Sequence, residues 1–339
     1  MPFDTKTLEF ANKILESNNF WIRDEKAKER YPEVVDIASQ LVWRKRHSDM
    51  DEGSQRMALE ERNDNAFTNE ETFVKEMWNH MHKDQRDKRI DGLDDSDIVD
   101  KDWTTEFWHK SHLGASWKRD FRLDSVPRLE TNDALYFDLL SSLPRVSTPR
   151  PDLAYGIKDR VFTQREKAVK LLHLRFVEVS RGIAFPFFAA EFKGAGGNMA
   201  EAEVQACRTG GAMVIALREL QKIPGREWKQ AGADTSTFTF TLAMSTSQVQ
   251  LHVHWAEIVP GNQPIYHMHL LHDYSLNRAS NYRDIRRVLN NILDWGLKDR
   301  LNEGKEILHA IDIMHDKVPP SKRARTSTGP SAREGPEMQ

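Results

Sequence analysis

Cysteine is nearly absent: Cys207 is the only one among 339 residues. No intramolecular disulfide and no cysteine-based zinc centre can form, which fits a reducing compartment. Charge of one sign is not in excess. Lys and Arg number 49 against 52 Asp and Glu, for a formal net charge of −3. The chain as a whole therefore does not advertise a nucleic-acid binder, and any such surface has to be a local patch. No stretch approaches the roughly 20 apolar residues of a membrane span. The first 30 residues are charged throughout and lack the apolar centre of a signal peptide. The expectation is a soluble, intracellular protein with no membrane partner. No internal repeat is visible.

What is present suffices for a real core. Hydrophobic residues make up 39% of the chain, enough for one large domain or two modest ones. Residues 1–66 read as a helical N-terminal region, with Leu8, Ala11, Ile14 and Leu15 at helical spacing and a second such run from Val34 to Val42. Thr68 and Glu71 fit a capping box. They precede a helix with Phe73, Val74, Met77, Trp78 and Met81 on one face. Residues 83–102 alternate in charge and read as a solvated loop.

From about Leu140 the texture changes. Asp152–Ile157 reads as a short strand, 163–178 as a helix, and Phe185–Phe192 as a strand covered on both faces. Met199–Leu220 reads as a helix despite Gly210 and Gly211, which permit close packing or else cost stability. Ser236–Met244 and Gln248–Val259 alternate like two strands about a tight turn. Arg283–Met314 supplies a long amphipathic helix. The order predicts an α/β fold with a mixed central sheet flanked by helices, spanning residues 67–316. After Lys317 the composition turns to Pro, Ser, Gly and Arg, the mark of a disordered basic tail over 317–339. Its Lys322, Arg323 and Arg325 read either as a nuclear-localisation signal or as a solubilising cluster.

Chemistry concentrates where the apolar run Phe185–Ala190 ends in Glu191, Phe192 and Lys193 and passes into a Gly-rich turn. A carboxylate and an ammonium on one face of a buried strand are costly without a partner or a task. Asp152 upstream supplies a second carboxylate. Phosphodiester hydrolysis needs an activated water and relief of added negative charge, and a hard divalent cation provides both. Mg²⁺ takes one or two carboxylates, with waters and phosphate completing its shell. Asp152 and Glu191 are candidate ligands, with the Phe192 carbonyl as a further one. Lys193 shares the face of Glu191 and is placed to orient the water or neutralise the phosphate.

These residues carry a resemblance. Pro151-Asp152 followed by Glu191-Phe192-Lys193 resembles the PD-(D/E)XK nuclease superfamily. The segment Gly182–Lys193, the later Ala202-Glu203-Val204-Gln205 and the pair Gly210-Gly211 are more closely similar to fungal PD-(D/E)XK nuclease-like proteins. The strand around Leu251–Trp255 is similar too. The resemblance spans about 70–301 and is specific between Gly182 and Gly211. It implies a restriction-endonuclease-like core of a helix, three strands, a helix and a strand, with Asp on the second strand and Glu-x-Lys on the third. It implies metal-dependent cleavage of nucleic acid, DNA in the first place, with Mg²⁺ or Mn²⁺ as cofactor. Asp152, Glu191 and Lys193 carry over as catalytic residues. Gln205 would face the site, and an acid on the first core helix, Glu71 or Glu76, would complete it. Two departures stand out. Val204 occupies the place of a family-like Asn, and the distance from Asp152 to Glu191 requires a helical insertion. The alternative is a catalytically inactive module of the same fold that binds nucleic acid or protein in the nucleus.

Other readings stay open. The turn Gly194–Gly197 could cradle a phosphate on backbone N–H groups, although the Gly-Lys-Ser/Thr of a P-loop and a third dinucleotide glycine are missing. His252, His254, His267, His269 and His272 suggest either a transition-metal site or half-exposed strand faces. Lys158, Arg160, Arg165 and Arg208 form either a phosphate-facing patch or scattered solvated charges. Cys207 reads as a small buried residue rather than a nucleophile.

Overall fold

The computed structural model describes residues 13–16, 18–22, 26–46, 50–68, 70–81, 108–110, 149, 151–158, 161–173, 177–180, 183–224 and 231–317. The charged segment 83–102, Arg160, most of the helix read near the start and the basic tail with Lys322, Arg323 and Arg325 lie outside them.

The strands are β1 (Phe20–Trp21), β2 (Trp108–Lys110), β3 (Leu153–Ile157), β4 (Glu178–Ser180), β5 (Ile183–Phe192), β6 (Gly232–Ala233), β7 (Thr239–Met244), β8 (Gln248–Ile258) and β9 (Ile265–Ser275). The helices are α1 (Ala27–Arg30), α2 (Pro32–Val42), α3 (Glu52–Asn65), α4 (Glu70–Met81), α5 (Gln164–Leu172), α6 (Met199–Lys222), α7 (Ala279–Trp295) and α8 (Leu301–Lys317). A π-helical segment, Gly296–Arg300, joins α7 to α8. The fold is α/β, with a mixed sheet flanked by helices, as the sequence order predicts.

The sheet path is β1-β9-β8-β7-β5-β3-β2, with β4 on β5 and β6 on β8. The β5–β7 and β1–β9 pairs are parallel and the others antiparallel. A parallel pair needs a crossover, and α6 is the crossover from β5 to β7. Every residue of β5 is buried, because helices cover both faces of the sheet. Phe188, Ala190 and Phe192 face a core shared with α2, α4 and α7. Ala189 faces a smaller core beneath α6, with Ala202, Ala206 and Met213.

Local sequence accounts for many boundaries. Pro32 opens α2, where its missing N–H is no loss. Asp51 caps α3 by accepting from the Ser54 N–H at 2.7 Å. Thr163 and Glu166 form a reciprocal capping box on α5. Asn198 caps α6, accepting from the Ala200 N–H at 3.0 Å. Thr68 donates its hydroxyl to the Asn65 carbonyl at 2.7 Å, and the Glu71 side chain of the expected capping box lies outside the described residues.

Gly210 and Gly211 serve close packing. A Cβ on Gly210 would sit 2.3 Å from the His254 ring, and one on Gly211 2.0 Å from the Phe20 ring. Their absent side chains let α6 settle onto β8 and β1.

Several elements depart from the predicted order, among them the short strands β2 and β6, which it does not contain. The helix expected over 163–178 is shorter, α5 ending at Leu172, and Glu178 instead opens the strand β4 that pairs with β5. The long C-terminal helix is interrupted by the π segment, and Gly296 there lies against Phe187. The sheet also continues past β8 into β9, whose far edge takes β1 in parallel. The described N-terminal residues are part of this one body: Val34, Val35, Ala38 and Ala58 share the main core with β5 and α7.

Candidate functional site

The site forms where β3 begins and β5 ends. Leu153 lies opposite Ala190 and Ala154 opposite Ala189. One further step along this register sets Asp152 across from Glu191. The Phe192 N–H donates to Asp152 Oδ2 at 2.7 Å and fixes that carboxylate at the strand end. The Lys193 N–H donates to the Met244 carbonyl at 2.8 Å, which carries the β5–β7 pairing past the last residue of β5. Alternation along the strand places Glu191 and Lys193 on the face of Ala189, beneath α6.

Glu191 is only 2% exposed. Thr209 on α6 donates its hydroxyl to Glu191 Oε1 at 2.7 Å. Burial pushes the Glu191 carboxyl up to about 8. The Thr209 bond opposes that rise, the Asp152 charge adds to it, and Arg208 and Lys193 pull it down. Asp152, Lys193 and Arg208 are therefore electrostatic neighbours of Glu191. Burial lowers the pKa of Arg208, and Glu191 counters that shift. Asp152 and Lys193 are partly exposed, so the group reaches solvent on their side.

The Gly-rich turn shapes this edge. The Gly197 N–H closes the turn on the Gly194 carbonyl at 2.9 Å. A Cβ on Gly197 would meet the Lys193 Cβ at 2.7 Å. The lysine stem thus lies against a residue that has to be glycine. Gln205 is half-buried on α6, one turn before Thr209 and on the same flank.

The fold and this geometry place the match to known sequences. The chain belongs to the DUF7924 family. The family's sequence model, described as a domain of unknown function, matches residues 60–308. No curated protein and no solved structure matches the chain. The DUF7924 match contains β3, β5, α6 and every residue of the group just described. It begins inside α3, so β1 and α2 lie outside it although they share the body of the fold.

The first-helix acid is not brought to this group among the described residues. Trp78 on α4 packs against Tyr155, Phe188 and Phe192, on the face opposite Glu191. Glu76 is not among the charges that shift Glu191, and the Glu71 side chain lies outside the described residues.

The histidine cluster divides between the two faces of the sheet. His254 pairs with Met268 and faces α6, whereas His267 pairs with Trp255 in the opposite core. His254 Nε2 lies 2.7 Å from Thr241 Oγ1, and burial holds its pKa well below the usual value, with His252 adding to the effect. His267 stacks on Trp255 at 5.1 Å, with its Nε2 3.0 Å from Glu257 Oε2. Among the described residues no group of three or more His, Cys, Asp or Glu is arranged to hold a metal.

The basic patch divides too. Arg208 joins Glu191, while Arg165 pairs with Asp312 on α8. Cys207 is buried, and burial pushes its thiol up, which leaves it unreactive.

Two residues near Glu191 escaped the sequence reading. Thr209 is a lone helical threonine with no spacing signal. Gln250 faces Ala243, which faces Glu191, so a row Glu191–Ala243–Gln250 crosses the sheet beneath α6. Gln250 is buried and its Oε1 has no hydrogen-bond partner. The polar alternation Gln250, His252, His254 was the available clue, because this strand is buried on both faces.

Proposed function

We propose that this protein is a metal-dependent nuclease of the PD-(D/E)XK type that hydrolyses phosphodiesters of nucleic acid, DNA in the first place. The observation that carries the reading is the pair Asp152–Glu191 across β3 and β5, with Lys193 on the face of Glu191. The elements α4, β2, β3, β5, α6 and β7 support it, since they follow one another as the helix, three strands, helix and strand that the resemblance implies, with α5, β4 and β6 set between them. The helix α5 is the insertion that the spacing between Asp152 and Glu191 requires, a departure from the family core.

The donor set fits a hard cation. Two carboxylates are adjacent, and one oxygen of each is held in place by a protein donor. Mg²⁺ or Mn²⁺ would be held by Asp152, Glu191 and the Phe192 carbonyl, with water in the other positions. When bound, the cation acidifies a coordinated water and offsets negative charge on the phosphate. The protein's part is to hold and orient. Asp152 is fixed by the Phe192 amide, Glu191 by the Thr209 hydroxyl. Lys193 stabilises the charge that builds on the phosphate, Arg208 offsets the paired carboxylates, and Gln205 positions water or a phosphate oxygen.

A second reading has its own observation. Glu191 is buried and already bonded to Thr209 beside the Arg208 charge. Such a self-contained cluster suits a non-catalytic module of the same fold that binds nucleic acid or protein.

The test is incubation with plasmid and single-stranded DNA plus Mg²⁺ or Mn²⁺. Glu191→Ala and Lys193→Ala should each lower cleavage by about 10²–10³, the cost of losing one preorganised electrostatic group. Cleavage that survives both substitutions refutes the assignment. No cleavage of either substrate by the unaltered protein favours the binding module.

A further inference from the structure

Away from that site, α5 and α8 meet through two imidazoles. His173 is the C-cap residue of α5, its N–H donating to the Lys170 carbonyl at 3.2 Å. His315 lies in the last turn of α8. Their Nε2 atoms face each other at 3.4 Å, with the rings inclined at 64°. That separation is long for a hydrogen bond between two ring nitrogens. It matches what one metal ion would set: two Zn–N bonds of about 2.05 Å at a tetrahedral angle hold their nitrogens about 3.4 Å apart.

We propose that His173 and His315 form a transition-metal site that clips α5 to α8, with Zn²⁺ as the cation it fits. Imidazole nitrogen suits Zn²⁺ and not Mg²⁺, so this site is chemically distinct from the oxygen donors of Asp152 and Glu191. Both histidines sit at helix C-termini, where the carbonyl ends of the helices favour positive charge. No third His, Cys, Asp or Glu joins them among the described residues, and Asp312 on α8 is engaged by Arg165. Water completes the coordination. The contact group is partly exposed, so an ion reaches it without any opening of the fold.

The placement gives the clip a consequence. α5 lies in the connection between β3 and β5, the strands that carry Asp152 and Glu191, and α8 is the last described helix. Arg165–Asp312 already ties the two helices near the start of α5. A metal at His173–His315 adds a second tie at the end of α5. An ion that binds only the native arrangement stabilises it by mass action.

The test is a Zn²⁺ titration of the full chain with Mg²⁺ in excess, followed by calorimetry and by thermal unfolding. His173→Ala and His315→Ala should each weaken one Zn²⁺-binding event at least about tenfold, the lower end of what loss of even an outer-sphere partner costs. Each should also remove the Zn²⁺-dependent rise in melting temperature, while the double variant loses nothing further. His309→Ala, on the same helix, should leave both readings unchanged, and the melting of each variant without Zn²⁺ reports that it has folded. Zn²⁺ affinity unaltered in both single variants, or no Zn²⁺ binding by the unaltered chain, overturns the proposal. Displacement of the bound Zn²⁺ by Mg²⁺ overturns it as well.

Discussion

Two buried polar clusters lie along α6, and they are built on opposite principles. Near its C-terminal end, Arg218 faces Asp234 at 3.4 Å. Asp234 also accepts from the Thr237 hydroxyl at 2.8 Å and the Ser236 hydroxyl at 2.7 Å. Gln221 donates to Glu303 at 3.2 Å, and Glu303 also takes the Arg300 guanidinium at 2.7 Å. Arg300 further donates to the Ser236 and Phe238 carbonyls and lies 4.8 Å over the Trp295 ring. Each acid meets a cation, Asp234 with Arg218 and Glu303 with Arg300, and neutral donors fill in between, so that the network sews α6, the β6–β7 turn and α8 together. Toward the N-terminal half of α6, Glu191 faces another carboxylate, and its pKa is pushed up to about 8. The first cluster spends its charges on holding the fold. The second sets two acids side by side, and the Arg208 and Lys193 charges beside them do not bring the buried Glu191 back to its usual range.

The largest expected effect tests the structural end. Arg300→Ala takes the guanidinium from Glu303 and from two carbonyls, and should cost about 3–5 kcal/mol in urea unfolding, as breaking a buried pair does. A loss near zero would remove the contrast.

Next comes Glu191→Gln. A carboxyl raised from 4.5 to about 8 in the folded state contributes stability that is full below about pH 4.5 and is lost as pH rises toward 8. Glutamine carries no such penalty. Without divalent cations the variant should match the unaltered protein near pH 4.5 and exceed it by up to about 5 kcal/mol at pH 9. A difference that does not change with pH would show that Glu191 is ionised throughout, and the two clusters would then be alike.

The smallest effect sharpens the picture. Thr209→Val removes the hydroxyl that holds Glu191 down, so the Glu191 midpoint should move above 8. The accompanying change in stability should be about 1 kcal/mol. A midpoint that moves down instead would mean that Thr209 serves the protonated acid.

The site's parts were more legible than its surroundings. Glu191 and Lys193 could be placed on one strand face because alternation is a local rule. Asp152 could be joined to them because the apolar texture of β3 and β5 is plain. Thr209 and Gln250 could not be found that way, since Thr209 meets Glu191 through helix–sheet packing and Gln250 is set in its row by strand register, which no window of sequence contains. The same holds for the histidines of β8 and β9: their spacing suggested a cluster, and the pairing of Trp255 with His267 set them on opposite faces. The strand β9 shows in the sequence only through His267 and His269 on one strand face and is left out of the predicted order, because its partly exposed polar residues blur the apolar pattern.

The pairing of β1 with β9 has a consequence for how the chain is made. Phe20 and Trp21 find their partners at Tyr266 and His267, across nearly the whole described length. During synthesis from the N-terminus, that strand has nothing to pair with until β9 has emerged. Contacts of such sequence separation slow folding and prolong the time during which an edge stands open. A fragment started at residue 60, where the family match begins, would keep the acids of the site and yet leave the edge of β9 without its first strand. Such a fragment is expected to self-associate through that edge, while the longer chain carries its own cover.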